Sequence, residues 1–217
     1  MQTIATNQLV LRPLTPSDKE MFCQLYTNSN TMAYIAPAYS QEKASNSFNS
    51  ASNFNNNNTR IVKTWAIELN NSNSKQKSPS KTIGIVMLYD EWFKIRLSTI
   101  EVGILLLPGA TGQSYGQEAL SGLLTYCFND LSLNQVNIRF HPDNQAMRSV
   151  SKKLGFLPPN SIKPVDEVNK THSVNDTINI DHSSNYFNVN ERESGSDEKK
   201  SNMEEQMWLH CLPSQHW

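Results

Sequence analysis

The stretch Glu101-Val102-Gly103-Ile104-Leu105-Leu106-Leu107-Pro108-Gly109-Ala110-Thr111-Gly112-Gln113-Ser114-Tyr115-Gly116-Gln117-Glu118-Ala119-Leu120 changes character twice. An apolar run from Ile100 to Leu107 reads as a strand, and Pro108 closes it. A loop of small and polar residues follows and leads directly into a helix predicted over Gly116 to Phe128. Ala119, Leu120, Leu123, Leu124, Cys127 and Phe128 line one face of that helix. A helix start presents unpaired N–H groups and the positive end of the dipole, so this junction is suited to hold an anion. Gly112 and Gly116 lack a Cβ, which lets a phosphate approach the main chain. Two glycines four apart also suit an ordinary strand–helix turn, so the junction alone does not decide. The helix start has no Gly-x-Gly-x-x-Gly and no Gly-Lys-Ser/Thr, which excludes the dinucleotide and P-loop forms of the cradle.

The same plan recurs downstream. Gln135 to Phe140 predicts a strand, His141-Pro142-Asp143-Asn144 a turn, and Gln145 to Leu154 a short helix. Gly155 suits the left-handed cap of that helix, and Pro158-Pro159 bar its continuation. Arg148 and Lys152 lie one helical turn apart, spaced either for a shared phosphate or for a solvated face.

Upstream, Leu9-Val10-Leu11-Arg12-Pro13-Leu14 predicts an opening strand, and Thr15-Pro16-Ser17-Asp18 starts a helix carrying Met21, Phe22, Leu25 and Tyr26 on one side. Thr64 to Leu69 and Thr82 to Leu88 predict two further strands, and Met207 to Leu212 a closing one. Three polar runs interrupt this plan. Ser45 to Asn58 reads as a mobile loop, with a weaker helix starting near Ser40, and Asn70 to Lys81 reads as a hairpin loop. Asn160 to Asn202 reads as an insertion, preceded by a penultimate strand just after Pro159 with Ile162 and Val165 inward. The expected organisation is one domain over residues 1–217, with polar insertions near 45–58, 70–81 and 166–202. Mixed strands and helices without strict alternation indicate an α+β fold.

Only 37% of residues are hydrophobic and the mean hydropathy is -0.54, but the polar runs account for most of that leanness, leaving enough for one core. A net charge of -1 provides no field for nucleic acid or an anionic membrane. Cys23, Cys127 and Cys211 lack metal-ligand spacing and sit among apolar neighbours, so they read as reduced, buried thiols with no metal site. No signal peptide or bilayer-length apolar run is evident, and the expected location is the cytoplasm.

Asn144-Gln145-Ala146-Met147-Arg148-Ser149-Val150-Ser151-Lys152-Lys153-Leu154-Gly155-Phe156, taken with the Glu101–Ala119 stretch and the opening Leu9–Leu14 strand, resembles the GNAT superfamily. Within it, the ribosomal-protein N-terminal acetyltransferases are the most similar branch. The resemblance covers Gln8 to Phe156 plus the last strand. It implies the GNAT fold: a central mixed, mostly antiparallel sheet, splayed at the cofactor site and flanked by helices. It also implies acetyl-CoA as co-substrate, with Ile104, Leu105, Leu106 and Leu107 running beside the pantetheine arm. Gly112, Gln113, Ser114, Tyr115, Gly116 and Gln117 would wrap the pyrophosphate. Asn144 would contact the cofactor from the second wall, and Arg148 and Lys152 would reach its phosphates. Ser114 replaces the family's middle glycine, which a serine tolerates only at negative φ. Met147 stands where this branch often has a serine acid, and Ser151 where other members place a tyrosine acid.

The reaction so implied is direct attack of an amine on the thioester in a ternary complex. The acceptor would be a protein N-terminus or a small amine, and the enzyme a monomer or homodimer. The oxyanion donor would be an N–H near Leu105 or Leu106. Glu101 is the first candidate for the base, unless it is a strand-end carboxylate paired with a Lys or Arg. His141 is the second, against a role in its turn, and Ser151 the candidate acid. Glu118 reads as stabilising its own helix start, while Tyr34 and Tyr39 suit the acceptor site and Trp65 the core. A non-catalytic acyl-CoA-binding module is the alternative.

Overall fold

The computed structural model describes residues 1–56, 62–70, 81–90, 100–158 and 208–213. The expected strand after Pro159 and most of the second and third polar runs lie outside these residues. Seven strands, β1 (Ile4–Ala5), β2 (Leu9–Pro13), β3 (Lys63–Leu69), β4 (Thr82–Asp90), β5 (Ile100–Leu106), β6 (Gln135–Phe140) and β7 (Trp208–Pro213), form one sheet in sequence order. Every neighbouring pair is antiparallel except β5 and β6, which are parallel. That exception follows from connectivity, because the helix between them, α4 (Tyr115–Thr125), carries the chain back before β6 begins. This is the expected mixed, mostly antiparallel α+β sheet.

Helices cover both faces. α4 lies over Leu9, Leu11, Trp65, Val86, Leu88, Ile100 and Val102, burying Ala119, Leu120, Leu123 and Leu124 among them. On the other face α1 (Lys19–Thr27) buries Phe22, Cys23, Leu25 and Tyr26 against Ile85 and Leu105. The Thr15–Asp18 box precedes α1 as expected: the Asp18 carboxylate accepts from Thr15 N at 2.7 Å. Asp18 also takes a two-pronged contact from Arg12 at 2.8 and 2.9 Å, and Arg12 reaches Glu68 on β3 at 2.6 Å. This network ties the opening strand to α1 and β3, and an unpaired Asp18, only 3% exposed, would cost several kcal/mol, on the order of 3–5. A brief α2 (Ser29–Met32) follows, capped by Asn28 Oδ1.

The first polar run is a correction. Gln41–Asn56 forms a helix, α3, where a mobile loop was expected from Ser45 onward. Ala44, Phe48 and Ala51 fall on one face and pack on α1, with the Phe48 ring edge-on to Phe22 at 5.4 Å. Tertiary burial of that stripe outweighs the poor helix propensity of its Ser and Asn residues. Ser47 and Ser50 hydroxyls donate back to the Lys43 and Asn46 carbonyls, so these side chains are satisfied within the helix. At its end, Lys63 Nζ donates to the carbonyls of Phe54 and Asn55. The Asn55 amide bonds both N–H and C=O of Thr64, as a neighbouring strand would.

Further down the chain, α4 runs into a wider turn at Tyr126–Asp130, so the expected helix to Phe128 is present but loosened at its end. α5 (Gln145–Lys153) ends at Gly155 with φ 81, the left-handed cap anticipated there. Cys23 and Cys127 are buried and free, and burial pushes the Cys127 thiol up to about 12.

Close approach of β4 and β5 depends on Gly84. A Cβ there would collide with the Leu105 carbonyl oxygen and sit 3.0 Å from the Leu106 Cα, both main-chain atoms. Gly84→Ala is therefore expected to lower unfolding free energy by about 1–3 kcal/mol. Gly109→Ala, with nothing within 4 Å, should be near neutral. Equal melting temperatures for both variants would show that the strands can separate at no cost.

Candidate functional site

Pairing between β5 and β6 is short: Ile100 with Val136, Glu101 with Asn137 and Val102 with Ile138. On its other side β5 stays in register with β4 from Ile100 through Leu106, and Leu107 N–H still donates to Ile83 at 2.9 Å. From Gly103 onward β5 thus has one strand partner among the described residues, and a gap opens toward β6. The antiparallel ladder turns alternate residues to the same neighbour, so Leu107, Leu105 and Gly103 direct their main-chain polar groups at β4. The groups of Ile104 and Leu106 face the gap. The expected oxyanion donor near Leu105 or Leu106 is thereby narrowed: the Leu105 N–H belongs to the β4 ladder, and that of Leu106 is open.

The gap leads to the start of α4. Ala110 and Thr111 N–H groups close on the carbonyls of Leu107 and Pro108, and the first bond of the helix runs from Glu118 N–H to Ser114. Between them, the N–H groups of Gly112, Gln113, Ser114, Tyr115, Gly116 and Gln117 have no acceptor among the described residues. Gly112 at φ 76 and Ser114 at φ 62 are both left-handed, the alternation that curls successive N–H groups into an anion nest. The expectation of negative φ at Ser114 is overturned. The nest needs the left-handed turn, and an exposed serine accepts it at roughly 1–2 kcal/mol of strain. Gly112 is a glycine because of its φ and faces open space. At Gly116 a Cβ would meet Leu106 Cδ1 at 3.5 Å and Ile104 Cδ1 at 3.8 Å, so this position packs on β5.

Asn144 caps α5, its Oδ1 accepting from Met147 N at 3.1 Å. Arg148 folds back to the Pro142 carbonyl at 3.0 Å, while Lys152 stands exposed one turn on. Ser151 is 1% exposed and its hydroxyl donates to the Arg148 carbonyl, which places that proton inside the helix. His141 Nδ1 accepts from Asp143 N at 3.2 Å, and its ring stacks on Tyr34 at 5.8 Å. Tyr34 is 40% exposed, Tyr39 stacks on Tyr26, and Trp65 is wholly buried with its indole N–H on the Gln2 carbonyl.

Glu101 lies at the closed end of the gap, 3% exposed. Arg139 Nη2 on β6 donates to its Oε1 at 2.7 Å, and Tyr89 on β4 stands directly across from it in the strand register. Burial first, and then the Glu101 charge, hold the Tyr89 phenol well above its ordinary range. His141 is four residues beyond Asn137, the register partner of Glu101, or on the order of 13 Å along the strand direction. The structure therefore does not bring the two candidate bases together. Tyr89 and Arg139 were not singled out from sequence. Arg139 left a signal, a charge within the otherwise apolar-alternating Val136–Phe140, whereas Tyr89 becomes visible only once the β4–β5 register is known.

Glu118 does not serve its own helix start alone. Its Oε1 accepts from the Thr6 hydroxyl and the Gln8 N–H, both at 2.6 Å, and Oε2 from Gln8 Nε2 at 2.8 Å. It pins the β1–β2 turn to α4 beside the nest. A groove of about 710 Å³ runs between Gln2–Asn7 and α4 from Ser114 to Asp130. It touches Ser114 and Gln117 but neither Glu101 nor His141, so it is separate from the gap.

The Acetyltransferase (GNAT) domain family matches residues 8–157. No curated protein matches the chain in sequence. Among solved structures, an acetyltransferase (GNAT family) from Bacillus anthracis superposes with a TM-score of 0.64 at 17% identity, covering 99% of each chain. RimL, a ribosomal L7/L12 alpha-N-protein acetyltransferase in complex with coenzyme A, superposes at 0.64 and 14% identity over 100% of each chain. A spermidine N-acetyltransferase from Vibrio cholerae, in complex with CoA and spermine, superposes at 0.56 and 20% identity over 70% of this chain and 83% of that one. At these identities the likeness is one of fold.

Burial alone would push the Glu118 carboxyl up, but hydrogen bonds from Thr6, Gln8 and Leu9 hold it below 4.5. A lowered value means a contribution to stability that is complete above about pH 4.5 and is lost as pH falls through the folded-state value. Glu118→Gln should thus cost about 1–3 kcal/mol in urea unfolding at pH 7, with the deficit shrinking in acid. A deficit independent of pH would show that the carboxylate charge is irrelevant to the tie.

Proposed function

Because the chain belongs to the GNAT acetyltransferase family and is an acyltransferase, we propose that it moves an acetyl group from acetyl-CoA to a primary amine, a protein N-terminus or a small amine, in the cytoplasm. One observation carries this reading: the stretch of β5 beyond Val102, paired on one side, opens beside six consecutive amides at the start of α4 that have no acceptor among the described residues. An extended amide-bearing arm fits the first and a pyrophosphate the second, so the residues present suit acetyl-CoA. The main-chain groups of Ile104 and Leu106 would pair with the pantetheine, and the N–H groups of Gly112 to Gln117 would hold the pyrophosphate. Lys152 is placed to meet a phosphate from α5, and Asn144 keeps an amide N–H beside the same wall.

Direct attack by the amine places negative charge on the thioester oxygen, and the Leu106 N–H is the donor we assign to it. The attacking nitrogen must lose a proton. Glu101 is, among the described residues, the buried carboxylate nearest the point where the strands part, and Arg139 holds one of its oxygens from β6. We assign Glu101 as the acceptor of that proton through a chain of waters along the gap, because Leu106 lies five residues, roughly 16 Å, further along β5. The thiolate would then take a proton from solvent, since the Ser151 hydroxyl is engaged within α5. The exposed Tyr34 and Ile35, with Tyr39, form an aromatic and apolar rim suited to the body of an acceptor.

Acetyl-CoA at a hundredfold excess over its Kd should stabilise the protein by about 2.7 kcal/mol, read as a rise in melting temperature. Gly112→Glu is expected to abolish that rise, while Gly112→Gln, equally strained but uncharged, should keep most of it. A full rise with Gly112→Glu would overturn the cofactor assignment.

Thiol release measured across a panel of amines tests the chemistry. Glu101→Gln should lower kcat by about 100-fold or more with acetyl-CoA affinity unchanged. Undiminished turnover would make Glu101 a purely structural ion pair.

A further inference from the structure

Glu101 has a neighbour on each side. Arg139 approaches from β6 at 2.7 Å, and Tyr89 stands directly across from Glu101 in the β4–β5 register. The three residues flank the last pairing of β5 with β6, Val102 with Ile138: Glu101 and Tyr89 lie one residue before it and Arg139 one residue beyond. Gly103 makes the arrangement possible. A Cβ at that position would lie 3.3 Å from Tyr89 Cε1 and 3.2 Å from Met87 Cγ, so its absence leaves room for the phenol ring against β5, next to Glu101 in sequence.

We propose that Tyr89 is a positioning residue, its hydroxyl fixing the Glu101 carboxylate opposite the pull of Arg139 so that one oxygen stays directed at the gap. This rests on the assignment of Glu101 as the proton acceptor. Arg139 alone gives Glu101 a strong partner on one oxygen and leaves the carboxylate free to rotate toward the guanidinium in a bidentate grip. A donor from the opposite strand removes that freedom. The phenol suits the task because it remains a donor: burial and the adjacent negative charge keep its proton in place. Tyr26 on α1 is the other phenol within electrostatic reach of Tyr89, and burial keeps it protonated too. Arg139 is the cation, among the described residues, that acts on Tyr89 against Glu101.

Steady-state kinetics of the full chain with acetyl-CoA and its best amine, on wild type, Tyr89→Phe, Glu101→Gln and the double variant, tests the assignment. Tyr89→Phe should lower kcat about 10- to 100-fold with the KM for acetyl-CoA little changed, the mark of lost alignment at the reacting centre and not of lost binding. In the Glu101→Gln background the same substitution should cost nothing further, because a residue that acts through Glu101 has nothing left to position. Gly103→Ala is the second variant. It keeps the hydroxyl but crowds the ring, and should lower kcat in the same sense without changing acetyl-CoA affinity. Wild-type kcat in Tyr89→Phe, or an equal loss in both backgrounds, overturns the role of Tyr89 while leaving Glu101 as the base. Wild-type kcat in Glu101→Gln overturns the base assignment itself, and the positioning role with it.

Discussion

Parallel pairing between β5 and β6 stops at Val102 and Ile138 while the antiparallel ladder between β4 and β5 runs on to Leu106. A main chain with one side unpaired in the interior of a sheet is expensive unless something else meets its N–H and C=O groups. The same separation aims the end of β5 at the loop that starts α4, so the unpaired ribbon and the unpaired amides belong to one continuous surface. A ligand with amide groups along an extended arm and phosphates at one end answers both deficits at once. The position of Glu101 follows from the same constraint. It sits one residue before the last pairing of β5 with β6, where Arg139 reaches it from β6 and Tyr89 stands across from it on β4.

Holding that surface in place requires the start of α4 to be rigid, and the ties come from far away in sequence. Glu118 is bonded to Thr6 and Gln8, and a Cβ at Gly122 would lie 2.7 Å from the Thr6 side chain, so α4 rests closely on the N-terminal segment. The indole N–H of Trp65 holds the Gln2 carbonyl from beneath. On the opposite face the Arg12–Asp18–Glu68 network locks β2, the entry of α1 and β3 together. These are buried or half-buried polar contacts with defined partners, and they set geometry more than they add stability. The bulk of the stabilisation comes from the two apolar layers, Leu9 to Phe140 under α4 and α5 and the Phe22–Phe48 group under α1 and α3.

The helix from Gln41 to Asn56 shows how composition can mislead. Asn and Ser dominate it, and counted over the whole run they signal an unstructured loop. Ala44, Phe48 and Ala51 nonetheless repeat at the helical interval, and Phe22 waits on α1 to receive them. Average polarity measures the solvent face as well as the buried one. Three spaced apolar positions suffice when the partner surface already exists.

Local sequence determined a good deal about this protein. The alternation in Leu9–Leu14, the run from Ile100 to Leu107, the Gly-punctuated entry to α4 and the Gly155 cap each follow from short-range preferences, and they carried the strand and helix order and the family. Three things were decided only by tertiary structure. The left-handed turn at Ser114 is imposed by the nest and runs against the residue's own preference. Whether the N–H of Leu105 or that of Leu106 faces the gap depends on a register with β4, set by residues about twenty positions away. The surroundings of Glu101 are contributed by Tyr89 and Arg139, which meet it only across strands. Conformational preference is a property of neighbours along the chain, whereas the orientation of a carboxylate is a property of neighbours in space.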